Sequence, residues 1–113
     1  MSDDLNDSRL DVVAVGNALV DVLAHAPEAD LDRLGLVKGS MELVDLARSS
    51  AVYQGMGAGV EMSGGSAANT CVGVAALGGR VGFIGKVADD TFGETFRHDI
   101  TAAGVEEAHI AAV

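Results

Sequence analysis

Two sets of polar residues in this sequence have types and spacings that could do chemistry. The first is Asn17 with Asp21, inside the apolar run "VVAVGNALVDVLA" at 12–24. In an extended segment, residues an even number apart project to the same face. A carboxylate in such a run is costly to bury unless something donates to it. Either Asp21 grips a hydroxyl of a ligand, or it stands just beyond a strand end and accepts from a loop amide; spacing alone leans to the second. The other set is Gly64, Gly65, Ser66 and Asn69, in "SGGSAANTCVGVAALGG" at 63–79. The first amides of a helix lack intrahelical partners and sit at the positive end of its dipole, so a helix mouth attracts ligand oxygens. Glycines let the backbone come close. Ser66 suits the N-cap, and Asn69 shares that side of the first turn and can both donate and accept, as reading neighbouring hydroxyls requires. The structural alternative is that Ser66 merely caps and Asn69 satisfies a loop carbonyl. By themselves these residues leave the two readings even.

Other groups are better explained structurally. Ala67, Ala68, Cys71, Gly73, Ala75 and Ala76 would let a helix pack close to a sheet. Asp89 and Asp90 suit capping of the helix that follows them. The three histidines, His25, His98 and His109, lack the paired spacing of a zinc site. "GFIGKV" has Val87 where a P-loop needs Ser or Thr for magnesium. "VGNALVD" has no G-x-G-x-x-G turn, and its acid comes too soon for a dinucleotide ribose. No metal ligand set is expected.

These residues need elements to position them. The 12–24 run reads as a continuous strand buried on both faces, and "RVGFIGKV" at 80–87 as another of the same kind. "APEADLDRLG" reads as a helix with Pro27 in its first turn and Gly35 closing it. "GSMELVD" at 39–45 alternates like a short strand, a helix follows from the Asp45 cap to Gly55, and "GVEMS" at 59–63 is a further strand. "TFGETFRHDITAAG" has Phe92, Phe96 and Ile100 on one helical face, a capping box of Thr91 with Glu94, and Gly104 as a left-handed stop. This rhythm is that of an α/β layered fold with parallel strands. The 113 residues, 49% hydrophobic, are enough for one core. The acidic stretch 1–11 reads as a loose leader, not a secretory signal, and no apolar stretch is long enough to span a bilayer. With 7 basic and 17 acidic residues the net charge is −10, which repels nucleic-acid phosphates. A single cysteine gives no internal disulfide framework and fits a cytoplasmic protein.

Together, "VGNALVDV" and "SGGSAANTCVGVAALGGRVGFIGKVADDTFGETF" resemble the ribokinase-like, PfkB-type carbohydrate kinases, most closely the adenosine kinase group, from about Val12 onward. Cys71 stands where that signature usually has Ser, Thr or Ala, and Ala88 where it usually has Gly. Ser66 replaces a lysine common in ribokinases, which favours a nucleoside acceptor. The resemblance implies a doubly wound α/β sandwich with a small β lid at about 38–62. It implies that Asn17, Asp21, Gly64, Gly65 and Asn69 hold sugar hydroxyls, with Ser66 in support, and that Met41 or Leu43 of the lid shields the acceptor. The implied reaction is transfer of the γ-phosphoryl of ATP, with Mg²⁺, to a primary hydroxyl of a nucleoside or sugar. The alternatives are a ribokinase- or fructokinase-like enzyme and a non-catalytic sugar- or nucleoside-binding remnant. The family's catalytic aspartate, in a Gly-Ala-Gly-Asp motif, and its ATP site are expected in a C-terminal part that this sequence lacks. Residues 12–113 are therefore expected to be the N-terminal, acceptor-binding portion and inactive alone.

Overall fold

The computed structural model describes residues 9–112. In chain order the elements are strands β1 (Val12–Val15) and β2 (Leu19–Ala24), helices α1 (Glu28–Leu34) and α2 (Leu46–Gly55), strand β3 (Gly59–Gly64), helix α3 (Ser66–Ala76), strand β4 (Val81–Val87), helix α4 (Thr91–Ala102) and strand β5 (Glu107–Ala112). β1, β4 and β5 form a parallel sheet in that order, with Val12 opposite Val81 and Gly82 opposite Glu107; β2 and β3 form a separate pair. The molecule is a mixed α/β fold, and its described residues divide into two compact units, one of 9–21 with 61–112 and one of 22–60.

In the first unit α3 packs on β1 and β4, and α4 on β5. Between helices and sheet lies a core of Ala68, Cys71, Val81, Phe83, Val87, Phe96, Ile100 and Val105. The Phe83 and Phe96 rings meet at 5.5 Å between centroids and 52° between planes, an offset that suits the quadrupoles of both. The small residues of α3 serve this packing only in part. Ala68 and Cys71 are fully buried, and Ala67, Val74 and Ala75 pack on the core's margin, whereas Gly73 and Ala76 face outward. The Cys71 thiol donates to the Gly82 carbonyl at 3.6 Å, and burial pushes its pKa up.

Several expectations need correction. The run 12–24 is two strands in two sheets, not one. A β-carbon on Gly16 would lie 2.6 Å from that of Ala67, so the chain passes hard against α3 there. The Gly16 amide makes one last bond to the Ile84 carbonyl, at 3.2 Å, and the chain then leaves the parallel sheet. Nor is β1 buried on both faces. Ala14 packs on the core, but Val13, Val15 and Ile84, of opposite parity, stay exposed, Val15 at 73%. No strand forms at 39–45: the Ser40 hydroxyl and amide both bond the Val37 carbonyl in a turn, and no neighbouring strand is present for the alternating residues to pair with.

Two caps are displaced by one residue. The N-cap of α3 is Gly65, not Ser66, which is the first helical residue. The N-cap of α4 is Asp90, whose carboxylate accepts from the Gly93 amide at 2.8 Å; Thr91 does not form the capping box with Glu94. Pro27 likewise precedes α1 as its N-cap. Asp45 does cap α2, accepting from the Arg48 amide at 2.8 Å, and Gly104, at φ 99°, does turn the chain out of α4.

The second unit holds α1 and α2, neither with a fully buried residue. Two arginines cross-stitch their ends: Arg33 donates to the Gly55 carbonyl at 2.9 Å and Arg48 to that of Gly35 at 3.2 Å. Leu34 lies where a β-carbon of Gly55 would be, 2.5 Å from its Cδ2.

Candidate functional site

The glycine pair between β3 and α3 gathers the polar residues of the first unit. Gly65 holds φ 96° and ψ 147°, a conformation open to glycine but strained for residues with a β-carbon. A β-carbon there would also sit 2.9 Å from the Asn17 carbonyl oxygen. Gly64 is buried against Asp21: a β-carbon would overlap the Asp21 carboxylate and lie 2.8 Å from its Cγ. The bare backbone at both positions is what admits Asn17 and Asp21.

Asp21 lies within β2, not beyond its end, and its side chain is exposed. No bond from a loop amide to its carboxylate is present among the described residues. Asn17 sits in the turn between β1 and β2, and Asn69 in the first turn of α3, its own amide donating to the Gly65 carbonyl at 2.9 Å. Both side chains are exposed, and neither hydrogen-bonds another described residue. Because the N-cap is a glycine, no side chain accepts from the first-turn amides of α3. Ser66 is exposed at the helix start, and Thr70 is tied off by its hydroxyl donating to the Ser66 carbonyl at 2.8 Å.

The cluster thus offers an acceptor-only carboxylate, two amides that donate and accept, and open backbone donors at a helix N-terminus. A hydroxyl needs both kinds of partner, since it donates one hydrogen and accepts on oxygen. An anionic ligand would be favoured by the helix mouth but opposed by Asp21. The arrangement therefore suits neighbouring hydroxyls of a neutral polyol.

Met41 and Leu43 belong to the second unit, in the irregular segment before α2, with 82% and 90% of their surface exposed. The motif Gly57-Ala58-Gly59 is followed by Val60 and leads into β3, not into a helix, so it presents no carboxylate at a helix mouth. Sequence reasoning missed Asp99, whose Oδ2 accepts from the Ser63 amide at 2.8 Å, directly before the glycine pair. No motif marks it: Arg97, His98 and Asp99 all lie between the core positions Phe96 and Ile100 on α4, and nothing in their types singles out Asp99. Among the described residues no group of three or more His, Cys, Asp or Glu side chains could hold a metal ion. No helix among the described residues is long and apolar enough to cross a membrane.

Residues 37–112 match the pfkB family of carbohydrate kinases, and the chain belongs to that family. It is 37% identical over 99 residues to a 5-dehydro-2-deoxygluconokinase of Photobacterium profundum, covering 88% of this chain and 23% of the relative. It is 48% identical over 52 residues to a fructokinase of Klebsiella pneumoniae, covering 46% of this chain and 17% of the relative. The adenosine kinase from Sinorhizobium meliloti superposes with a TM-score of 0.72 at 45% identity, over 94% of this chain and 32% of that one. A probable sugar kinase from Rhizobium etli gives 0.70 at 43% identity, over 90% and 30%. The adenosine kinase of Trypanosoma brucei brucei, at 23% identity and a TM-score of 0.79 over 92% of this chain and 33% of that one, shares the fold. The chain spans 23% of the first relative's length and 32% of the first structure's.

Proposed function

We propose that this chain supplies the acceptor-binding part of an ATP-dependent kinase that phosphorylates the primary hydroxyl of a nucleoside, adenosine-like in kind. What supports this above all is the Asp21 carboxylate seated against Gly64 beside the uncapped mouth of α3. Asp21 would accept from adjacent sugar hydroxyls while Asn69 and the first amides of α3 donate to their oxygens, and Asn17 would close the set. Hydrogen bonds to a charged group contribute about 1.5–3 kcal/mol each, enough to fix the sugar's orientation before transfer. A general base and the triphosphate cradle would come from polypeptide outside these residues, together with the magnesium site.

The nucleoside is preferred to a free sugar because the Sinorhizobium meliloti adenosine kinase superposes with a TM-score of 0.72 at 45% identity, against 0.57 at 31% for the Xylella fastidiosa fructokinase. Ser66 at the start of α3 points the same way. The test is an ATP-dependent phosphorylation panel on the full-length protein with adenosine, ribose, fructose and 5-dehydro-2-deoxygluconate. Adenosine is expected to be turned over best. Good turnover of a free sugar with none of adenosine would replace the nucleoside by that sugar, and binding without any turnover would leave a non-catalytic binding module.

A further inference from the structure

We propose that Asp99 is a positioning residue for the acceptor site, setting the backbone of the Gly64–Gly65 pair through the Ser63 amide. The proposal rests on the acceptor-site reading above and adds a residue to it. The Asp99 Oδ2 accepts from the Ser63 amide at 2.8 Å in a partly buried setting. A carboxylate bonded to a backbone N–H is a charge-assisted contact, shorter and stronger than a neutral one. Its donor stands one residue before Gly64, whose Cα must lie flush against the Asp21 carboxylate.

The far end of the tether is fixed. On α4, Asp99 lies between Phe96 and Ile100, both with no exposed surface, and Phe96 stacks on Phe83 of β4. The start of the same helix is held by Asp90 on the Gly93 amide. Asp99 is thus carried on a helix that the core locks in place. On the other side of the pair, Gly65 is held by the Asn69 amide, which donates to its carbonyl. Gly64 is held between two anchors, and the Asp99 carboxylate is the one that bonds the Ser63 amide. Because β2 and β3 are paired, what Asp99 fixes is the Ser63–Gly64 end of β3; without it that end can move against Asp21, and small misplacements of binding groups weaken orientation steeply: 1 Å can cost about 100-fold.

The experiment is steady-state kinetics of the full-length protein carrying D99A, D99N or D21A, together with amide resonances of Ser63, Gly64 and Gly65. D99A should raise the KM for the acceptor roughly tenfold, a fraction of the 1 Å loss, and leave the KM for ATP unchanged. It should also move the three resonances. D99N keeps an acceptor oxygen at the same reach but not the charge, so it should bring the acceptor KM down to about two- to threefold above the parent. D99A and D21A should combine less than additively, since both act on Gly64. If D99A lowers the melting temperature with the acceptor KM unchanged, or raises both KM values equally, Asp99 is only a structural strut and the proposal fails. Should D99A not fold, D99N decides alone: an acceptor KM raised about two- to threefold supports the proposal, and an unchanged KM overturns it. A D21A protein with normal acceptor kinetics would instead sink the acceptor-site reading, and the Asp99 proposal with it.

Discussion

At the scale of single residues, the site turns on one carboxylate and one missing β-carbon. D21A in the full-length protein should lower kcat/KM for the acceptor about tenfold or more, the equivalent of one charge-assisted bond, with ATP affinity little changed. Unchanged acceptor kinetics with a lowered melting temperature would make Asp21 structural. G64A should reproduce that loss although residue 64 would offer no side chain to any ligand, because its methyl would occupy the space of the Asp21 carboxylate. Cys71 makes a different prediction. Its pKa is raised in the folded state, so the thiol favours folding while protonated, and that contribution is lost as pH rises above its ordinary value of 9.0. Denaturant midpoints measured from pH 7 to 11 should fall over the alkaline end of that range, and C71A should flatten the fall.

At the scale of elements, the sequence was legible wherever local chemistry decides and opaque wherever a distant contact does. Asp45 and Gly104 act where their types say they should, because a cap is made within one turn of the residue that makes it. Ser66 was misplaced by one position because its neighbour Gly65 is equally able to begin the helix, and of the two caps read for α4, Asp90 holds where the Thr91–Glu94 box does not. For α3 the conformation of Gly65, with positive φ, settles the matter, and for α4 the Asp90 carboxylate does. The break between β1 and β2 could not be read: both halves are apolar, and what parts them is Gly16 against Ala67, far along the chain. The segment 39–45 alternates without any strand to pair with, so its period carried no information. The two-residue pattern of Asn17 with Asp21 and the glycine pair were legible as a set, whereas Asp99 was not, since its role exists only through a backbone amide on another element. The corrected caps can be checked directly. D90A should cost about 1 kcal/mol of stability in chemical denaturation, and T91A well under half of that; the reverse order would restore the Thr91 cap.

At the scale of the whole molecule, the parallel sheet has helices on the side of Ala14 and Phe83, while Val13, Val15 and Ile84 lie exposed on the other. Parallel sheets are normally covered on both faces. In the isolated chain V15S should change stability by no more than about 0.5 kcal/mol, while F83A, in the core, should cost about 3–5 kcal/mol. In the full-length protein, a V15S loss well above 0.5 kcal/mol would show that further polypeptide covers that face. Purified residues 1–113 should transfer no phosphate from ATP to any acceptor, for want of a base at a Gly-Ala-Gly turn and of a nucleotide site. Transfer above a heat-treated control would place the chemistry inside this chain.

The contact between Gly64 and Asp21 also binds the two positions into one unit of inheritance. Every replacement of Gly64 introduces a β-carbon into space that the Asp21 carboxylate fills, so residue 64 can change beside an intact Asp21 only if that exposed carboxylate turns away. On the acceptor role proposed for Asp21, a change at either position should then have the same effect, since each takes the carboxylate out of its place. Among relatives, a residue other than glycine at position 64 should therefore be found beside a shorter residue at 21, and should mark lineages that have changed or abandoned the acceptor.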